Sequence, residues 1–148
     1  MKDEFDLYSE KVMKYFRKPV NMGKIEDADA VATVGNPKCG DVMKVYLKVE
    51  KRKVRGKTEE YIKDIKVQTL GCGAAIATSS IATEFVKGKS VDEALKITNQ
   101  KIVKALGGLP KVKYHCSLLA EQGIKEAIKN YQRSRESTRK NTRKSLEK

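Results

Sequence analysis

The feature that most restricts the fold of this 148-residue chain is an alternation of apolar and polar residues over positions 43–50. The apolar set is Met43, Val45, Leu47 and Val49. Because successive side chains of a strand point to opposite faces, this period of two predicts a half-buried β-strand. Residues 30–34 and 61–70, rich in β-branched residues, predict one strand on either side of it. The short links between the three strands indicate an antiparallel meander.

Helical periodicity dominates the rest of the chain. Residues 6–17 predict an amphipathic helix, and residues 74–87 predict a helix of small and apolar residues. A capping box at Ser90 predicts one further helix, whose apolar stripe extends to Leu106. The last helix has its apolar stripe over residues 120–131. The fold class is therefore α+β, a single domain with a three-stranded antiparallel sheet packed against several helices.

The net charge of +13 raises the question of a nucleic-acid partner. Basic residues cluster at 51–57 and 133–148, and neither cluster contains an aromatic residue to stack on bases. We therefore expect a solvated loop and a disordered basic tail, with the folded domain at 1–132, and no nucleic-acid partner. No apolar run approaches the length of a membrane span, and no targeting signal is recognisable, so a cytoplasmic location is expected.

The three cysteines each lie in a segment marked by glycine, proline, aspartate or histidine. An odd number of widely spaced cysteines is expected to stay free in a reducing compartment. Cys72 and Cys116 are placed at predicted helix starts, where free N–H groups favour a thiolate. Cys116 also continues the stripe of the last helix, so its thiol is expected to point inward. Cys39 follows the first predicted strand.

If the meander packs on the helices, the three thiols can converge at one point, and three thiolates select zinc, Cu(I) or an iron–sulfur cluster. Asp41, two residues after Cys39, and His115, beside Cys116, are the candidates for a fourth ligand. Neighbouring side chains diverge, so His115 and Cys116 are expected to reach one metal only if the backbone turns sharply. The competing interpretation of the cysteines is that they are small buried hydrophobic residues.

Three segments, in order, resemble the signature blocks of the IscU/NifU N-terminal family of iron–sulfur cluster assembly scaffolds. They are Gly35-Asn36-Pro37-Lys38-Cys39-Gly40-Asp41, Gly71-Cys72-Gly73-Ala74-Ala75-Ile76-Ala77-Thr78-Ser79-Ser80 and Leu109-Pro110-Lys111-Val112-Lys113-Tyr114-His115-Cys116-Ser117-Leu118-Leu119-Ala120-Glu121. The likeness extends over about residues 7–131.

The resemblance implies a non-enzymatic scaffold on which a [2Fe–2S] cluster is built and then passed to apo-proteins. Cys39, Cys72 and Cys116 would bind the cluster, with Asp41 and His115 in the remaining ligand positions and Asp41 linked to cluster lability. Sulfur would arrive as a persulfide from a cysteine desulfurase, with Cys116 the expected acceptor. A homodimer is a further expectation to test.

The family also has a chaperone-recognition motif, Leu-Pro-Pro-Val-Lys. The matching segment here is Leu109, Pro110, Lys111, Val112 and Lys113. Lys111 replaces the second proline, so partner binding is expected at this segment but recognition by a heat-shock chaperone is in doubt.

Three other functions remain open from the residues alone. The same three cysteines with Asp41 or His115 could hold Zn²⁺ tetrahedrally. Cys116 and His115 could form the nucleophile and base of a thiol enzyme, which adjacent positions disfavour. A nucleic-acid-binding module would show strongly salt-dependent binding.

Overall fold

The computed structural model describes residues 9–36, 41–70, 73–109 and 111–146, with side chains except those of 36, 41, 73, 112 and 135–146. The described residues form three strands, β1 (Ala30–Asn36), β2 (Asp41–Val54) and β3 (Lys57–Leu70). They form one antiparallel sheet in the order β1-β2-β3. The predicted meander and the α+β class are confirmed, and each strand is longer than its apolar pattern suggested.

The register makes the two ends of the sheet unequal. β1 pairs with β2 from Ala30↔Leu47 to Asn36↔Asp41, whereas β2 pairs with β3 as far as Val54↔Lys57. The second half of β2 therefore continues with β3 alone, as a two-stranded ribbon. Its two-residue turn has positive φ at both Arg55 and Gly56, the conformation that matches the twist of a tight hairpin.

Helices cover the face of the sheet that carries the alternating apolar residues. The helices are α1 (Glu10–Arg17), α2 (Gly73–Val86), α3 (Val91–Ala94), α4 (Asn99–Ala105) and α5 (Tyr114–Leu146), with a 3₁₀ turn at Lys111–Lys113. α5 packs on β1 and β2, and α2 packs on β3 and α5. Met43, Val45 and Leu47 are fully buried beneath them, so the core lies between sheet and helices.

The single helix predicted from Ser90 to Leu106 is wrong. The Ser90 side chain does accept from the Glu93 amide at 3.1 Å and starts α3, but α3 has only four residues. Thr98 is extended, and its hydroxyl accepts from the Lys101 amide at 3.3 Å to cap α4. A second cap inside the stripe ends one helix and starts another, because Thr side chains compete with helical backbone bonds.

The predicted start of the first helix and the predicted end of the last helix also differ from the structure. α1 begins at Glu10 with Ser9 as its cap, and the predicted residues 6–8 lie outside the described part of the chain. α5 continues to Leu146, so the backbone of 133–146 is helical where disorder was expected. Lys, Arg and Glu extend an existing helix at little cost. The domain boundary at 132 stays a prediction.

Among the described residues, no helix has both the length and the apolar character needed to cross a membrane.

Candidate functional site

The end of the sheet formed by Asn36, Asp41 and Leu70 carries the candidate site. Asn36 and Asp41 face each other across β1 and β2, and Leu70 pairs with Val42 next to them. In the sequence Cys39 lies between Asn36 and Asp41, and Cys72 lies between Leu70 and the start of α2. Cys39, Cys72 and the side chain of Asp41 are outside the described residues, but the strand ends that flank them share one edge.

Cys116 is the third residue of α5 and is 1% exposed. The start of α5 packs on α2, where the Thr78 hydroxyl donates within its own helix to the Ala74 carbonyl oxygen at 2.8 Å and lies 3.4 Å from the Cys116 carbonyl oxygen. The predicted inward-pointing thiol at the start of the last helix is confirmed. Since the sulfur is covered, a reaction there requires the covering atoms to move aside.

The direction of α5 places Cys116 at the same end of the sheet. Further along the helix, a Cβ on Gly123 would lie 3.0 Å from Val45 Cγ2 and 3.3 Å from Val34 Cγ2. Asn130 Nδ2 donates to the Val31 carbonyl at 3.0 Å. α5 therefore runs antiparallel to β1.

Two distances, measured along α5 and along β1 from the contact between Gly123 and Val34, give the position of the Cys116 thiol along the sheet. Cys116 precedes Gly123 by two helical turns, about 10 Å. Asn36 lies two residues beyond Val34, roughly 7 Å. Cys116 therefore lies level with the strand ends that flank Cys39 and Cys72 in the sequence.

His115 is exposed, and its Nε2 lies 3.5 Å from Cys116 Sγ. The expectation that these adjacent side chains point apart is wrong, because the ring folds back over the neighbouring sulfur. Which atom donates depends on the tautomer of the imidazole. Both residues make further interactions within the chain. Among the described side chains, no three His, Cys, Asp or Glu residues come together as a metal-binding group, and three of the predicted ligands lie outside that set.

Comparison with known proteins agrees with this geometry. Residues 7–138 match the family described as "NifU-like N terminal domain". The chain belongs to this family.

Curated relatives of this NifU-like domain share about half of its residues. The "Iron-sulfur cluster assembly scaffold protein IscU 1" of Archaeoglobus fulgidus is 53% identical over 142 residues, which are 96% of this chain and 88% of the relative. The scaffold protein IscU of Rickettsia prowazekii is 46% identical, over 88% of this chain and 95% of the relative. The Drosophila melanogaster relative, named an "assembly enzyme IscU", is 49% identical over 84% of this chain and 78% of the relative.

A solved structure shows the same fold. A protein described as an iron–sulfur cluster assembly scaffold for the SUF system of Fervidobacterium islandicum superposes with a TM-score of 0.64 at 25% identity. The match covers 85% of this chain and 99% of that one.

In this NifU-like domain the segment expected to bind partners divides between core and surface. Leu109 is buried, Lys111 is exposed, and Lys113 is half-buried in the 3₁₀ turn. Pro110 and the Val112 side chain lie outside the described residues. Leu109 anchors the segment, which leaves Lys111 as the described side chain best presented to a partner. Partner binding here stays a prediction.

Gly123 and Thr78 lie where α5 meets the sheet and α2, a role that was not predicted for either residue from the sequence. Gly123 lets α5 approach β1 and β2 closely, and the Thr78 hydroxyl of α2 lies 3.4 Å from the Cys116 carbonyl oxygen of α5. The sequence did offer a sign of the role of Gly123, because a glycine inside an apolar helical stripe often marks close packing against a neighbouring element. Thr78 gave no local signal, because its partner on α5 is 38 residues away in the sequence.

Proposed function

We propose that this chain is a scaffold on which a [2Fe–2S] cluster is assembled and from which it is transferred to apo-proteins. The observation that carries the proposal is the position of Cys116. Its buried thiol lies at the start of α5, level with the strand ends that flank the other two cysteines. The family membership and the names of the relatives, which concern iron–sulfur cluster assembly, support the same function.

The proposed ligands of the cargo cluster are the thiolates of Cys39, Cys72 and Cys116. Thiolates are the ligands that hold iron–sulfur clusters in proteins. Asp41 or His115 would complete the set. The 3.5 Å distance between His115 Nε2 and Cys116 Sγ supports two roles for His115. It could bind the same iron as Cys116, or it could exchange a proton with the Cys116 sulfur. Asp41 begins β2 at the same edge.

Sulfur would come from a cysteine desulfurase as a persulfide. The Cys116 thiolate would attack the terminal sulfur, forming a new S–S bond while the donor cysteine leaves as a thiolate. This transfer changes no net oxidation state, so conversion of the bound sulfur to sulfide requires two electrons from a separate reductant. Because Cys116 is buried, binding of the desulfurase is expected to include local opening around the start of α5.

Zinc is the alternative cargo that the same residues could bind. The relatives' names concern iron–sulfur clusters and not zinc, so we do not favour it. The desulfurase and the apo-proteins are the proposed partners. The chaperone interaction, the homodimer and the cytoplasmic location stay predictions, and one relative is named as mitochondrial.

The decisive experiment is anaerobic reconstitution with iron and sulfide, with zinc added in a parallel sample. A [2Fe–2S] cluster is expected to give visible absorption with two irons and two sulfides per cluster, and a zinc site is colourless. Transfer is then followed by mixing the loaded protein with an apo-acceptor of a [2Fe–2S] cluster. Failure to form a coloured species, with tight zinc binding in its place, would contradict the proposed function.

A further inference from the structure

The end of the molecule opposite the cysteines combines two basic segments that are far apart in the sequence. Residues 51–57 contain five Lys or Arg and no acidic residue, and residues 133–148 contain seven Lys or Arg and two Glu. The first segment is the tip of the β2–β3 ribbon, and the backbone of the second, as far as it is described, is the last part of α5, which ends at Leu146. β2 and α5 both run antiparallel to β1, so the two segments project in the same direction.

Direct contacts bring the ribbon and α5 together. Tyr131 Oη donates to Glu60 Oε2 at 2.5 Å. A cavity of about 560 Å³ lies between the ribbon and Tyr131 and Gln132 of α5, and its charged lining is mixed: Lys51, Lys57, Glu59, Glu60 and Asp92. The basic helical segment therefore begins beside the ribbon. From the Asp41 end of β2 the tip of the ribbon is roughly 40 Å away.

The charges at the ribbon tip are available to a partner. Residues 51–58 are all exposed. Arg52 is paired with Glu59 at 2.9 Å, and Glu50 is paired with Lys63 at 2.7 Å. In the described part of the chain, Lys51, Lys53, Arg55 and Lys57 have no ion-pair partner. Glu60, opposite Lys51, accepts from Tyr131 and keeps its negative charge. The tip therefore keeps four positive charges outside ion pairs, beside this one carboxylate.

Positive charges lie on both faces of the ribbon tip, so the tip is complementary to an elongated anion that carries negative charge along two sides. Lys51 and Lys53 lie on one face of the ribbon, Lys57 lies on the other beside its cross-strand neighbour Val54, and Arg55 is at the turn. A two-stranded ribbon fits the major groove of B-form DNA, which is about 12 Å wide. Basic side chains on both faces of the ribbon can then contact the phosphates on both walls of the groove.

We propose that this basic end, through the tip of the ribbon, binds double-stranded DNA by its phosphate backbone, without sequence preference. The absence of aromatic residues from both basic segments disfavours single-stranded ligands, which bind by base stacking. It also disfavours a protein interface, which is usually anchored by aromatic residues at its centre. The proposal revises the expectation of no nucleic-acid partner, which treated the two basic clusters separately.

The test measures binding of a labelled random-sequence DNA duplex by fluorescence anisotropy over a range of salt concentrations. Each phosphate contact contributes about −0.9 to the slope of log K against log salt, so four ribbon contacts alone contribute roughly −3.6. Replacing Lys51, Lys53, Arg55 and Lys57 by Gln should remove most of that contribution and weaken binding at least about tenfold at moderate salt.

A matched control replaces four other exposed lysines by Gln and changes the net charge equally. The control positions are Lys11, Lys18, Lys24 and Lys104. The control should bind DNA within about twofold of the wild type, since these residues are not on the basic end. Equal weakening by both variants would overturn the proposal, because it would show a response to bulk charge only.

Two competitors separate the partner classes. An RNA duplex of the same length should bind more weakly, because its major groove is too narrow to admit side chains. Equal affinity for RNA would overturn groove insertion, and tighter binding of polyglutamate than of DNA would assign the surface to an acidic protein. The ribbon variant should still reconstitute a cluster, so that failure of this inference is distinguishable from failure of the proposed function.

Discussion

The two ends of the sheet present functional groups in opposite ways. At the cysteine end, Cys116 is buried on a helix start that packs on α2, and α5 approaches the sheet closely at Gly123. At the basic end, residues 51–58 are exposed on both faces of a two-stranded ribbon. A substitution at the cysteine end therefore acts through packing as well as chemistry. A substitution at the basic end should change charge with little effect on the fold.

The largest expected effect is loss of the cargo site. Cys39→Ser, Cys72→Ser and Cys116→Ser should each abolish stable cluster formation, because a hydroxyl is a poor ligand for iron in a soft set. Visible absorption after anaerobic reconstitution measures the result. The fold should survive, because a domain of this length can bury its own core without a metal.

The four-residue Gln variant of the ribbon is the control for the cysteine variants and should reconstitute like the wild type. If any single serine variant forms a normal cluster, the three-cysteine site is incorrect. If the ribbon variant fails to form one, the two ends are not independent.

The second effect tests the close packing behind the site. Gly123→Val should lower the free energy of unfolding by about 1–3 kcal/mol, because its added atoms would meet Val45 and Val34 beneath α5. Chemical denaturation measures the change. Gln122→Val, on the exposed neighbouring position, is the matched control and should cost less than about 1 kcal/mol. Equal losses in the two variants would mean that α5 moves away from the sheet without cost.

A smaller effect is expected from Asp41→Ala. A carboxylate is a hard ligand among soft thiolates, so Asp41 should keep the cluster transferable and admit an incoming thiolate from the acceptor. Without it, the cluster should persist longer and transfer several-fold more slowly to an apo-acceptor, as followed by the loss of donor absorption over time. Equal transfer rates with unchanged folding would leave Asp41 only a role in starting β2.

The smallest effect is expected from deleting residues 133–148. This segment has no apolar face, so its removal should change the free energy of unfolding by less than about 0.5 kcal/mol and leave cluster assembly intact. Tyr131 and its bond to Glu60 are retained in this variant. A large drop in thermal stability would show that the end of α5 packs on the domain, in contrast to the exposed ribbon beside it.

Local patterns in the sequence were sufficient for most of the fold. The alternation at Met43–Val49 and the stripe that contains Cys116 each predict which face of an element is buried. Burial was as predicted for Met43, Val45, Leu47 and Cys116. Tyr46, on the face predicted to be exposed, is also buried, and Val49, beyond the register shift at Lys48/Val49, is only half-buried. The prediction failed between Val91 and Leu106, where one apolar stripe is consistent with either one helix or two. Thr98 decides the outcome by capping a second helix.

For the candidate site, the sequence by itself determined the residue types, since cysteines in glycine- and proline-marked segments at strand ends and helix starts are visible without a structure. The tertiary structure decided which distant segments meet. The strand register sets where β1 ends along β2, and the direction of α5 brings Cys116 to the level of Asn36 and Asp41. The same two facts place the ribbon, at Glu60, beside Tyr131 of α5. Such meetings depend on register and helix direction over the whole domain, and no local periodicity encodes them.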